Sequence, residues 1–348
     1  MNAPAHDAVR LTDAAPVAAG LAAHPMAGLF SSPSWIEALR ATYGFAFEAS
    51  ALLQGGAARA AILFSRIEDL RGRRVLSLPF SDYCDPLALD ALTFQRLLAP
   101  LLDMGAPLRL RCLRNQLPAA DPRLQRSGAA LWHGADLRRD EAAMWAGLDA
   151  QARQNIRRAG RHGVVVRESD SLDDLRSFHR MHAHVRKSKY RMLAQPFALF
   201  EALHAAFVPS GRLVVMLAEA EGRPIAGILF LIHGDTLYYK FNASLELALR
   251  PNDLLAWSGM QLGRRRGLAL LDFGLSDAEQ DGLVRYKRKF ATEEREIAIL
   301  QWRPEGHAQP AADEAGRALG RLTRLLTEPC VPDEISRAAG DELYRFFC

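Results

Sequence analysis

The sequence predicts an α/β (α+β) protein made of two similar halves, each a mixed and mostly antiparallel sheet flanked by helices. Its 348 residues exceed what one ordinary compact domain uses, so two domains or a duplicated one is expected. Alternating, β-branched runs come in neighbouring pairs, the pattern of antiparallel strands. The order of helix, paired strands, helix and strand is met twice, at greater length the second time. The expected organisation is a disordered leader over residues 1–25, a first half over 26–135, a second over 136–305 and a helical tail over 306–348.

In the first half SPSWIEALRATYG reads as a helix that Ser32 or Ser34 caps and Gly44 stops. EASALLQ and ARAAILFSRI are strands joined at Gly55-Gly56, a hairpin signal. RRVLSLPF is a third strand, ended by the polar SDYCDP, whose proline cannot donate to a ladder. A helix near LTFQRLLAPLLDMG, a strand near PLRLRCL and a proline-containing link over 117–123 follow. In the second half helices are expected over 140–162 and 171–187, and in FALFEALHAAF after Pro196. RLVVMLAEA, PIAGILFLIHG and TLYYKFNAS are successive strands, the first two turned at Glu221-Gly222. Asn252 or Asp253 starts the helix DLLAWSGMQLGRRR, Gly267 ends it, and LALLDFG is a strand that breaks at Gly274. REIAILQW is the last strand before the tail.

A composition of 49% hydrophobic and 24% charged residues is that of a soluble globular chain. No apolar run reaches the roughly 18 to 20 residues a membrane helix needs. The opening MNAPAHDAVRLTDAAPVAAG is interrupted by Asp7, Arg10 and Asp13 and lacks the apolar core of a signal peptide. A cytoplasmic location is expected, with peripheral association at the inner membrane face as its variant. Cys84, Cys112, Cys330 and Cys348 are scattered without a CxxC pair, which indicates neither a zinc site nor a disulfide framework. The net charge of +4 is mild, so DNA is not an expected partner, although a local basic stripe could meet RNA.

Four stretches carry a family resemblance: QARQNIRRAGRHGV, GRLVVMLAEAEGRPIAGILFLIHGDTLYYKFNAS, LRPNDLLAWSGMQLGRRRGLALLDFG and GLVRYKRKF. From about residue 150 to 290 the chain resembles the FemAB-like branch of the GNAT superfamily, which includes peptidoglycan bridge aminoacyltransferases and BioF-like or exopolysaccharide-locus proteins. FSSPSWIEAL and SLPFSDYCDPL add a weaker match in the first half. The resemblance implies tandem GNAT-like domains and an acyltransferase. Its substrates would be an activated donor, acyl-CoA or aminoacyl-tRNA, and an amine of a small-molecule or lipid-linked envelope or exopolysaccharide precursor. No tightly bound cofactor is implied.

One departure bears on the donor. GNAT enzymes cradle the coenzyme A pyrophosphate on backbone N–H groups of a glycine-rich loop at a helix N-terminus. This chain has Leu249-Arg250-Pro251-Asn252-Asp253 there, with a proline that lacks a donor, an added carboxylate and no glycine. Arg250 and Asn252 remain candidates for donor binding, Arg250 by its fork geometry. Arg153, Arg157 and Arg161 fall on one helix face with Arg158 adjacent; the stripe reads either as a binder of pyrophosphate or tRNA backbone, with Arg157 and Arg158 central, or as a solvated surface.

The resemblance places Lys287, of the pair Tyr286-Lys287 that follows DFG, where it would stabilise the oxyanion of an attacked carbonyl or a phosphate. On that reading Lys287→Ala folds normally and loses activity. Asp272 either fixes a turn by accepting from backbone N–H groups or acts as general base. On TLYYKFNAS, simple alternation puts Tyr238, Lys240 and Asn242 on one face and Tyr239 on the other, with Tyr239 lining the site. Tyr286, Asn242 and the loop residues Asp82 and Tyr83 are candidates for binding the acceptor, the loop with Asp85 reading otherwise as a turn. His179, His182 and His184 do not share one helix face, and no metal is expected. The alternative function is a catalytically silent scaffold that binds glycan or nucleotide-linked glycan in an envelope polysaccharide synthesis complex.

Overall fold

The computed structural model describes residues 8–307 and 310–348, which divide into two compact units. Unit 1 runs to Ala130 and also contains Glu296–Leu319 and Arg345–Cys348; unit 2 contains Leu131–Arg295 and Gly320–Tyr344. The expected tail is thus divided between the units.

Unit 1 begins with β1 (Val9–Leu11), which pairs with β2 (Ala46–Gln54), and α1 (Ala14–Gly20). The expectation of a disordered leader is corrected from residue 8 onward: Asp13 caps α1, whose Ala14, Val17 and Ala18 are buried. Residues 1–7 of that expectation lie outside the described residues. Helix α2 (Pro33–Tyr43) is capped by Ser32, whose Oγ accepts from Trp35 N at 3.3 Å, and stops at Gly44 with φ 67°. Strand β2 turns into β3 (Ala57–Asp69) through Gly55 and Gly56 at φ 58° and 82°, the two positive values a type I′ hairpin requires. Strand β4 (Gly72–Leu76) is shorter than expected because Leu78 and Phe80 take left-handed conformations. Helix α3 (Ala91–Leu102), strand β5 (Leu108–Cys112) and the short α4 (Leu117–Ala120) follow. Strands β4 and β5 are parallel and pair only at Val75–Leu108 and Leu76–Arg109. Phe64, Phe94, Leu97, Leu101 and Leu110 form the centre of this unit's core.

Strand β6 (Gln125–Asp136) was not legible, since Gly128, His133 and Gly134 interrupt its apolar alternation. One helix expected over 140–162 is two, α5 (Glu141–Gly147) and α6 (Ala150–Arg161). Leu148 between them is extended at ψ 149°, and Asp149 caps α6 by accepting from Gln151 N at 2.7 Å. Unit 2 continues with β7 (Val165–Ser169), α7 (Leu172–Ser188), α8 (Phe197–Phe207), β8 (Leu213–Ala220), β9 (Arg223–His233) and β10 (Thr236–Ser244). Then come α9 (Pro251–Arg265), β11 (Leu270–Asp277), α10 (Asp281–Arg288), β12 (Glu293–Trp302), α11 (Pro310–Leu326) and α12 (Asp333–Leu343). Helix α9 starts at Pro251, one residue before the expected start, since a proline's missing N–H is no loss at the first helical position.

Strand order is β1-β2-β3-β4-β5-β12 in unit 1 and β11-β10-β9-β8-β7 in unit 2, and β6 belongs to unit 1 up to Ala130 and to unit 2 from Leu131. One face of the unit 2 sheet presents Phe230, Leu237, Leu271 and Phe273 to Leu255, Ala256 and Met260 of α9. Gly259 allows that approach, for a Cβ there would lie 2.5 Å from the Phe230 ring. On the opposite face Phe178 and Phe200, from α7 and α8, meet Phe241 of β10 through Phe200.

Candidate active site

Strands β10 and β11 pair in parallel at Thr236–Leu270, Leu237–Leu271 and Tyr238–Asp272. Beyond that point β10 bulges between Tyr239 and Phe241, while β11 runs on past Gly274, at φ 68°, to Asp277. The expected break at Gly274 is therefore corrected to a continuous strand. The ammonium of Lys287, 4% exposed, donates to the carbonyls of Gly274 and Leu275 at 3.0 and 2.9 Å, supplying donors to the part of β11 past its pairing with β10. These two bonds would be lost in Lys287→Ala. Asp272 is buried, and its Oδ1 accepts from Gly274 N at 2.6 Å, the turn-fixing geometry of its two readings.

The bulge at Lys240 also corrects the expected alternation. An extra residue shifts the pleat by one, so Asn242 falls on the face of Tyr239 and not on that of Tyr238. Asn242 accordingly donates to Asn252 Oδ1 on α9 at 3.3 Å, whereas Phe241 meets His182 and Phe200 on the other side. Tyr239 packs edge-on against Phe230 and beside Phe273, in the α9-facing core. Asp272, the ladder partner of Tyr238, lies between Leu271 and Phe273 in sequence and so points to the opposite face. Tyr239 and Asp272 are not brought together.

The N-terminus of α9 collects the other groups. Tyr286 of α10 donates to the Asn252 carbonyl at 3.0 Å, and the phenol of Tyr239 lies close to that of Tyr286. Burial raises both phenol pKa values, so both stay protonated at neutral pH. Asp253, 6% exposed in the first turn of α9, accepts from Asn155 Nδ2 of α6 at 3.2 Å and is ion-paired with Lys289. The Lys289 ammonium lies 4.9 Å from the centre of the Tyr286 ring. Arg250, left-handed at φ 60°, precedes α9 without a side-chain cap.

Lys289 and Asp253 are the residues that sequence reasoning did not select. The signal was present: Tyr286 and Lys289 are three apart, and once 281–288 is a helix they share a face that Lys287 does not.

The remaining candidates lie elsewhere. The Arg157 guanidinium sits 5.5 Å over the ring of Trp145, which packs edge-on against Trp257. Arg158 Nε is 3.3 Å from His162 Nε2. Arg153 is turned away from the stripe to donate to the Ala146 carbonyl at 2.9 Å. Asp82 and Tyr83 belong to unit 1, where Tyr83 is buried edge-on against Phe30 at 5.1 Å. Buried Asp85 accepts from the N–H groups of Leu113, Arg114 and Asn115, a turn-holding role. His179 and His182 both address Gln195, through its carbonyl at 2.9 Å and its Oε1 at 2.8 Å.

The acetyltransferase (GNAT) domain family matches residues 148–288, which contain Tyr239, Asn242, Asn252, Asp253, Asp272, Tyr286 and Lys287 and stop one residue short of Lys289. A search of curated protein sequences found no match. Among solved structures, FemX superposes with a TM-score of 0.66 at 14% identity, over 89% of this chain and 97% of that one. L-PGS from Bacillus licheniformis gives 0.57 at 14% identity, over 88% and 97% of the two chains. A tandem GNAT protein from the clavulanic acid biosynthesis pathway gives 0.55 at 12% identity, over 87% and 100%. At such identities the likeness is one of fold, and it extends over nearly the full length of each chain. Residues 148–288 thus match an acetyltransferase (GNAT) domain, in a chain whose fold is like that of FemX.

Proposed function

We propose that this acyltransferase moves an aminoacyl group from an aminoacyl-tRNA to an amine of a cell-envelope precursor. GNAT enzymes as a family use acyl-CoA as co-substrate. The observation that carries the choice of donor is Asp253. A buried carboxylate paired with Lys289 occupies the first turn of α9, where a coenzyme A pyrophosphate would need backbone donors and a positive field. A pyrophosphate brought there meets a carboxylate that already engages Lys289 and Asn155, and a proline that cannot donate. The exposed stripe of Arg157, Arg158 and Arg161 on α6, with Arg157 supported by Trp145, is the kind of surface on which an RNA backbone is neutralised. The fold likeness to FemX and L-PGS supports the same reading.

In the reaction the acceptor amine attacks the ester carbonyl directly, and the ester oxygen leaves carrying a proton. The protonated phenol of Tyr239 is assigned to the oxyanion of the tetrahedral intermediate, and Tyr286, whose proton goes to the Asn252 carbonyl, to holding the start of α9. Asn242 and Asn252 orient the acceptor, Arg250 approaches a donor phosphate, and Lys287 and Asp272 hold β11 in position. The precursor is small or lipid-linked, and a tRNA donor sets the reaction in the cytoplasm.

Calorimetric titration of the purified protein with acetyl-CoA and with aminoacylated tRNA tests this. Micromolar binding of charged tRNA, weakened at least tenfold in the variant Arg157→Glu/Arg158→Glu, is expected, with no measurable heat from acetyl-CoA. Micromolar acetyl-CoA binding with no tRNA binding would overturn the choice of donor.

A further inference from the structure

We propose that unit 1 carries a second binding site, for the phosphoryl group of a small molecule, among Arg71, Arg74, Arg109 and Arg303. These four arginines line a cavity of about 80 Å³ together with Trp302 and Asp313. An adjoining cavity of about 90 Å³ brings in Arg111 and Ser77, at the place where β4 and β5 part after Leu76–Arg109.

The donors of this cluster exceed its acceptors. Arg74 makes a forked pair with Asp69 at 2.7 and 2.9 Å, which uses both of that carboxylate's oxygens. Arg71 donates to the carbonyls of Phe346 and Cys348 at 3.2 and 3.3 Å, and Arg111 to that of Ser81 at 3.2 Å. Arg303 donates to Gln301 at 3.4 Å. The Nε atoms of Arg71 and Arg74 are buried with no acceptor among the described residues, and Arg109, exposed to solvent, lines both cavities. Five arginines thus face the committed Asp69, the exposed Asp313 and Cys348, whose main-chain oxygen and thiol accept from Arg71 and Arg74. Partial desolvation, and then the charges of Arg111, Arg71, Arg74 and Arg303, hold the Arg109 guanidinium below its ordinary range. A dianion with several acceptor oxygens satisfies forked donors from more than one side, which a single carboxylate does not. The narrowness of the two cavities suits a compact group on a small molecule, and Trp302 in the lining is the aromatic on which a base would stack. This inference is independent of the donor chosen for unit 2.

The full chain is titrated with inorganic phosphate, inorganic pyrophosphate and uridine diphosphate, with binding followed by calorimetry and by tryptophan fluorescence. Saturable binding of at least one of them is expected, weakened tenfold or more by Arg109→Gln and by Arg303→Gln, and unchanged by Arg157→Gln on α6. Circular dichroism melting confirms that the variants fold. Uridine diphosphate binding tenfold tighter than pyrophosphate, with quenched fluorescence, assigns the phosphoryl group to a nucleotide; equal binding assigns it to a phosphorylated compound without a base. Absence of saturable binding by all three, or affinities that Arg109→Gln and Arg303→Gln leave unchanged, overturns the proposal.

Discussion

Asp253 stands third in α9, where unsatisfied backbone N–H groups favour a negative charge, and Lys289 and Asn155 complete its shell. Removing one partner of so buried a pair leaves the other charged and uncompensated. Asp253→Asn is therefore expected to lower stability by about 3 kcal/mol, and adding Lys289→Met to recover much of that loss. Urea unfolding of the three variants checks this; a double variant no more stable than Asp253→Asn would mean that the carboxylate acts chiefly through the helix terminus. At this scale the sequence was informative about residue type and misleading about partnership. The cationic run RYKRKF was visible, and so was the carboxylate in LRPND. That Lys289 pairs with Asp253 while Lys287 turns to the carbonyls of β11 depended on 281–288 being helical.

Elements follow the same rule: regular ones were legible and interrupted ones were not. The hairpin at Gly55-Gly56 and the start of α2 rest on local chemistry, which sequence displays. The bulge at Lys240 and strand β6 rest on what the neighbouring strands present, which it does not. Helix α7 carries a further consequence in His182, enclosed by Phe178, Phe200 and Phe241. Burial lowers its pKa to about 4 from an ordinary 6.5, against the raising effect of its bond to Gln195. Between those values the unfolded chain binds the proton that the native state refuses. Stability is thus complete above about pH 6.5 and declines as pH falls toward 4, by up to about 3 kcal/mol. His182→Gln is expected to flatten that decline, with His179, also held low by burial, supplying a remainder of the same sign. Denaturant midpoints at pH 7 and pH 5 for both proteins measure it; parallel declines would remove His182 from the account.

At the scale of the whole molecule, the repeated order of elements was enough to foresee two halves of one architecture. The assignment of late segments was not foreseeable, because strand β12 and residues 345–348 join unit 1 through ladder and side-chain contacts to residues some two hundred or more positions earlier. In each unit a parallel pair, β4 with β5 and β10 with β11, stays together for only two or three registered positions. The strand order of unit 1 also imposes a timetable on synthesis. Strand β5 ends at Cys112, but β12, which covers its open edge, begins at Glu293. During translation at roughly 5 to 20 residues per second, that edge waits on the order of ten seconds or more for its partner. A nascent or truncated chain ending at Arg295 offers an unpaired ladder to any passing strand. Such a fragment is expected to sediment as aggregate when expressed alone, and to be kept soluble by a ribosome-bound chaperone; a monomeric, cooperatively melting fragment would show that the first unit closes without its last strand.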